Sequence, residues 1–185
     1  MTKKPANDTN TGYLVAGLVL AFSLIMGLFV LPYLGVKKAE SSPLVGQPAP
    51  DFLLPYASPT ERGKSQRLSD LQGQAVVLDF WASWCGPCRA QSPVLERIAK
   101  QFGPEKLRVL GVGTSDDRAS ITRFLSSHAL GYASVFDDQD VASSLYQVRS
   151  LPTLVLVGKD GTVRAVATGF VDEAELSRLV KHTLR

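Results

Sequence analysis

The chain has 185 residues, 45% of them hydrophobic and 20% charged, which by length is one domain of about 100–200 residues with a short extension. Net charge is only +3, and Lys3, Lys4, Lys37 and Lys38 against Asp8 and Glu40 account for +2 of it. Residues 41–185 therefore offer no basic face for nucleic acid.

Residues 1–10 read as a short polar tail. Residues 11–36 carry no charged side chain and are built mostly from Leu, Val, Ala, Gly, Phe, Ile and Met. That run exceeds the roughly 20 residues a helix needs to cross a bilayer. A cleavable signal peptide would have an apolar region of about 7–15 residues ending in an Ala-x-Ala-like site. Lys37-Lys38-Ala39-Glu40 does not supply one, so the segment is read as a transmembrane anchor, with Tyr13 and Tyr33 near its two interfaces. Lysine pairs flank both ends, and charge barely discriminates the orientation. Residues 37–44 are then a linker, and 45–185 the folded domain.

Within that domain, Asp51–Leu54 reads as a strand. Tyr56–Gln66 reads as a loop and Arg67–Leu71 as a returning strand or a turn, which makes an N-terminal hairpin closed by Gly73. Ala75–Trp81 is apolar enough for a buried strand, and Arg89–Phe102 has helical spacing at Val94, Leu95, Ile98 and Ala99. Leu107–Val112 is a second buried strand, Arg118–Ala129 a helix and Val141–Val148 a short helix. Thr153–Val157 and Thr162–Thr168 are strands joined through Gly158-Lys159-Asp160-Gly161, a hairpin signal. Asp172-Glu173-Ala174-Glu175 opens the last helix with acidic residues at its positive end. Alternation of strand and helix points to crossover units and a largely parallel sheet.

The chemistry concentrates at Trp84-Cys85-Gly86-Pro87-Cys88, which holds the chain's two cysteines. Two intervening residues let the pair close a small ring and cycle between dithiol and disulfide. Zinc is the competing reading, but beyond this pair only His128 and His182 are available, in separate expected helices. A purely structural disulfide is the other, and so short a loop removes little unfolded-chain entropy. Cys85 is expected at the exposed first turn of a helix, where free N–H groups and the macrodipole favour a thiolate attacking a partner's sulfur. Cys88, one turn further in, is expected to resolve the mixed disulfide. Gly86 permits the tight backbone, and Pro87 suits a first helical turn.

Asp79-Phe80-Trp81-Ala82-Ser83-Trp84-Cys85-Gly86-Pro87-Cys88, with Pro93 behind it and Leu151-Pro152-Thr153 later, resembles the thioredoxin superfamily. More narrowly, the chain resembles its membrane-anchored TlpA-like, ResA-like and DsbE-like thiol–disulfide oxidoreductases. Val45-Gly46-Gln47-Pro48-Ala49-Pro50-Asp51-Phe52 is similar to the start of that branch and of the peroxiredoxins, and the likeness covers roughly residues 43–185. It implies an α/β thioredoxin fold, a central mixed sheet flanked by helices, behind the N-terminal hairpin and anchor. It also implies a cytoplasmic N-terminus, with the redox domain on the extracytoplasmic side of the inner membrane.

The resemblance assigns further roles. Asp79 matches the buried acid that takes the proton of the second cysteine; the alternative is a strand-end Asp with local hydrogen bonds. Pro152 matches the cis-proline packed against the cysteine pair. Trp84 and Leu151 then rim a substrate groove, while Trp81 reads as core. Gln91 departs from the pattern, since many ResA-like proteins carry Glu there and lack Asp at the earlier position. Pro93 is read as a structural kink in the helix. Expected partners are client proteins with Cys pairs, such as apocytochrome c or copper-site proteins, and an upstream membrane thiol reductant. No metal, nucleotide or organic cofactor is expected. A reductase is the leading reading, with a redox-sensing binding module or a disulfide-forming oxidant as alternatives. The peroxidatic Pro-x-x-x-Thr/Ser-x-x-Cys setting is missing before Cys85.

Overall fold

The computed structural model describes residues 17–23, 42–128 and 130–185. Residues 17–23 are helical. The rest of the expected membrane segment 11–36, with the tail 1–10 and linker residues 37–41, lies outside the described residues. Among the described residues no helix is long and apolar enough to cross a membrane. The chain divides into two compact units, Met1–Glu40 and Ser41–Arg185.

The second unit is built on β3 (Ala75–Trp81), in which every residue is buried. Val76, Leu78 and Phe80 face one cluster, while Ala75 and Val77 face another, as the two-residue period of a strand requires. β4 (Leu107–Gly113) pairs with β3 in parallel, with Asp79 opposite Gly111 and Trp81 opposite Gly113. β6 (Thr153–Val157) pairs with it on the other side, antiparallel, and β7 (Val163–Thr168) follows antiparallel on β6. β5 (Ala133–Phe136) lies parallel on β4 and completes the order β5-β4-β3-β6-β7. Two pairings are parallel and two antiparallel, so the sheet is mixed rather than largely parallel. A hairpin through Gly158–Gly161 returns β7 beside β6, where a helical crossover would have made the pair parallel.

α1 (Gly86–Phe102) and α4 (Glu173–Thr183) cover one face, packing Val94, Leu95, Ile98, Leu176 and Val180 on Val77, Leu154 and Leu156. α3 (Val141–Leu145) and the N-terminal segment cover the other, where Tyr146 packs on both Phe80 and Phe52. α2 (Arg118–Ser127) brings Ile121 and Phe124 to Trp81 and Phe136 at the C-terminal end of β3.

The expected N-terminal hairpin is present as β1 (Leu53–Pro55) and β2 (Ser65–Arg67), followed by a 3-10 turn at Leu68–Leu71. It belongs to a strap that reaches both edges of the main sheet. The Gly46 amide donates to Val163 O on β7, and the Ala57 amide donates to Ser134 O on β5, each at 2.8 Å. Both open edges are thereby partly covered, which protects them from pairing with another chain.

Candidate active site

The cysteine pair sits where β3 ends and α1 begins. β3 is central and the strand order reverses beside it, with β4 and β5 on one side and β6 and β7 on the other, and such a switch point at the carboxyl end of a strand leaves a crevice for ligands. Cys85 is the N-cap of α1, with extended backbone, and its Sγ accepts a hydrogen bond from the Cys88 amide at 3.2 Å. Cys85 and Cys88 form a disulfide with Cα atoms 5.3 Å apart. An amide donor and the positive helix end both favour negative charge on the Cys85 sulfur once the pair is reduced.

Cys85 is expected at an exposed turn, but the structure corrects that: it is 4% exposed, against 1% for Cys88. The loop from Ala82 folds its sulfur inward, into a cluster with Ala57, Trp81, Ile121, Phe124 and Phe136. The exposed group is the neighbour Trp84, at 62%. Its indole N–H donates to Ser115 O at 3.0 Å, which fixes the ring beside the pair, and Ser83 N donates to Asp116 Oδ2 at 2.7 Å. Trp81 is core, as expected: it is buried, donates to Ser134 Oγ at 3.1 Å and packs on Phe124. Gly111 permits this, because a Cβ there would lie 2.9 Å from Ser134 Oγ and 3.0 Å from Trp81 Nε1.

The Leu151–Pro152 peptide bond is cis. Leu151 packs partly buried against the cysteine cluster, and Gly169 N donates to Pro152 O at 2.8 Å. Trp84 and Leu151 also line a solvent-open groove of about 590 Å³ with Ser115, Asp140, Gln147 and Arg149. Ser115, Asp140 and Gln147 all have φ near +50°, conformations that cluster where a site is being shaped.

Asp79 is not a strand-end residue but lies inside β3, 1% exposed, on the face that α1 covers. Tyr132 Oη donates to its Oδ2 at 3.3 Å, and its Oδ1 has no hydrogen-bond partner among the described residues. Burial pushes its carboxyl up to about 7, partly offset by the Tyr132 bond. The sequence does not mark Tyr132, since it precedes β5, a four-residue strand too short to announce itself.

Gln91 is fully buried one turn after Cys88. Its Nε2 donates to Val171 O at 3.1 Å and its Oε1 accepts from Val171 N at 2.8 Å. A carboxylate at this position could not donate to the carbonyl, so Gln91 is a strut between α1 and the lead-in to α4. Pro93 lies inside α1. Among the described residues no cluster of metal-ligating side chains occurs.

Residues 45–166 match the AhpC/TSA family. A thiol-disulfide oxidoreductase ResA of Geobacillus kaustophilus is 32% identical over 134 residues, covering 72% of this chain and 75% of that protein. Among solved structures, a Chlorobium tepidum protein described as a thiol:disulfide interchange protein DsbE superposes with a TM-score of 0.69 at 30% identity. That match covers 76% of this chain and 98% of the other. The exposed lipoprotein thioredoxin Etrx1 of Streptococcus pneumoniae superposes with a TM-score of 0.61 at 28% identity, covering 71% and 98%. With its Cys85–Cys88 disulfide at the head of α1, the chain belongs to the AhpC/TSA family of thioredoxin-like proteins, among the ResA- and DsbE-like thiol–disulfide oxidoreductases.

Proposed function

We propose that this oxidoreductase is a single-pass protein of the cytoplasmic membrane, anchored through residues 11–36, whose redox domain works on the extracytoplasmic side as a reductase of client disulfides. Clients of the proposed kind are proteins that need Cys pairs reduced before a haem or copper site is completed. A membrane thiol reductant re-reduces the Cys85–Cys88 pair. The observation that carries the redox chemistry is a buried disulfide at a helix N-terminus with a protonatable Asp79 on the adjoining strand face. The charge-free run of residues 11–36 supports the anchor, and the exposed lipoprotein among the structural relatives supports the compartment. Gly-Pro between the cysteines, as in reducing thioredoxins, supports the direction.

In the proposed cycle the Cys85 thiolate attacks one sulfur of the client disulfide, forming a mixed disulfide and releasing one client thiolate. Asp79 accepts the Cys88 proton. The Cys88 thiolate then attacks Cys85 Sγ, which restores the internal disulfide and releases the second client sulfur. Two electrons pass to the client, and the two released thiolates gain their protons from the medium and Asp79. Trp84 and Leu151 form the apolar rim that receives the client segment around its disulfide.

The test is the reduction potential of the Cys85–Cys88 couple, measured by equilibration with defined thiol–disulfide buffers. A value near about −270 mV, where thioredoxin lies, supports a donor of electrons. One near about −120 mV, typical of a strong oxidant, reverses the proposed direction.

A further inference from the structure

Asp79 is the only titratable side chain buried inside β3, and the proposed cycle asks it to exchange a proton at every turnover. β4 and β6 set Gly111 and Leu154 beside it, neither of which titrates. α1, which covers this face, carries Cys88, then Ser92 one turn later and Glu96 two turns later, the last two acting on Tyr132. α4 contributes Leu176 and Val180 to the same face. The remaining neighbour is Tyr132, in the segment before β5. The Tyr132 hydroxyl donates to Asp79 Oδ2 at 3.3 Å, and its ring is partly buried in the same cluster as the α1 side chains.

Tyr132 is also tied to the helix that carries the cysteines. Ser92, within hydrogen-bonding reach of the Tyr132 phenol, donates to the Cys88 carbonyl at 3.2 Å. Glu96 accepts from the Gly131 amide at 3.2 Å and so fixes the backbone just before Tyr132. A single phenol thus bridges the acid on the strand and the turn of helix behind the resolving cysteine. It occupies Oδ2 and leaves Oδ1 without a partner among the described residues.

We infer that Tyr132 is a positioning residue for the resolving step: its hydroxyl holds Asp79 so that Oδ1 is the oxygen that accepts the Cys88 proton, and it sets the pH at which that oxygen is free. The inference rests on the proposed role of Asp79 as proton acceptor. A hydrogen bond donated to the ionised carboxylate favours that form, so removing the donor makes Asp79 hold its proton to higher pH. Burial also pushes the Tyr132 phenol well above its ordinary value, so it stays protonated and remains a donor throughout the working range.

The test uses the reduced full-length chain in mild detergent with a bis(nitrothiobenzoate) disulfide. Attack by Cys85 releases one coloured thiolate and leaves the other on Cys85. Attack by Cys88 releases the second, regenerates the Cys85–Cys88 disulfide and transfers the Cys88 proton to Asp79. The second release is followed against pH. In Tyr132→Phe its midpoint is expected to rise by about one pH unit, a tenfold slowing at pH 6, with the high-pH plateau and the first release unchanged. Asp79→Asn is expected to lose the pH-dependent limb, and Tyr132→Phe added to it to change nothing further. An unmoved midpoint, an equal slowing at every pH, or an effect that persists in the Asp79→Asn background would overturn the role of Tyr132. A second release that Asp79→Asn leaves untouched would overturn the base assignment itself, and the inference with it. Carbon-13 NMR of the Asp79 carboxyl in the oxidised chain reads the same shift without turnover, so a poorly active variant remains informative.

Discussion

Replacing Asp79 by Asn should change the pH dependence of stability in a way its burial makes calculable. The carboxyl titrates near 3.8 in an unfolded chain and at about 7 in the oxidised fold. The folded state therefore binds more protons between those values, and stability must fall as pH rises through the window. The stability is fully present below about 3.8 and lost above about 7. Three pH units at about 1.4 kcal/mol each give a loss on the order of 4 kcal/mol. Carboxylates held low by hydrogen bonds, such as Asp51 and Asp117, slope the opposite way. The quantity to measure is therefore the difference between variant and parent, from urea unfolding of the oxidised unit Ser41–Arg185 at pH 4 and pH 8.5. Any constant cost of the Asn amide cancels between the two pH values. The variant is expected to gain about 4 kcal/mol on the parent across the range. A difference that does not change with pH would refute the claim that Asp79 is buried and charged at high pH.

The cysteines should separate by role. Cys85→Ser is expected to abolish reduction of a protein disulfide, and Cys88→Ser to accumulate a mixed disulfide with the client, visible by intact-mass spectrometry; the reverse pattern would exchange their assignments. Gln91→Glu should be tolerated at pH 4, where a protonated carboxyl can still donate to Val171 O. At pH 8 it should cost about 1–3 kcal/mol relative to the parent, because the ionised form leaves that carbonyl unpaired; a variant-minus-parent difference that is the same at the two pH values would contradict the strut. Finally, the chain should consume hydrogen peroxide no faster than background in a peroxide electrode assay, since the approach to Cys85 lacks the peroxidatic setting; a thiol-dependent rate would contradict this.

Much of this molecule is legible in its residues because the signals are local. A strand of uninterrupted apolar residues leading into Trp-Cys-Gly-Pro-Cys, then a helical stripe at Val94, Leu95 and Ile98, specifies the redox turn wherever it occurs. The start of the last helix at Asp172 follows from acidic residues at its positive end, and the structure adds the Asp172 side chain as its cap. The Asp-Gly hairpin between β6 and β7 follows from turn chemistry. What stayed hidden lies across the fold. β5 has only four residues and is a strand because β4 pairs with it, not because of its own pattern. Cys85 is buried because α2 and the strap at Ala57 close over it, contacts 28 or more positions apart in the chain.

The sequence by itself determined the chemistry available, two thiols at the head of a helix with an acid six residues earlier, because side-chain identity and local spacing are written along the chain. Only the tertiary structure decided how that chemistry is tuned. It set Asp79 in a dry interior facing Tyr132 and turned Gln91 toward Val171. Those pairings join residues 53 and 80 positions apart. Burial and such contacts arise from packing one element on another, and no local pattern encodes them.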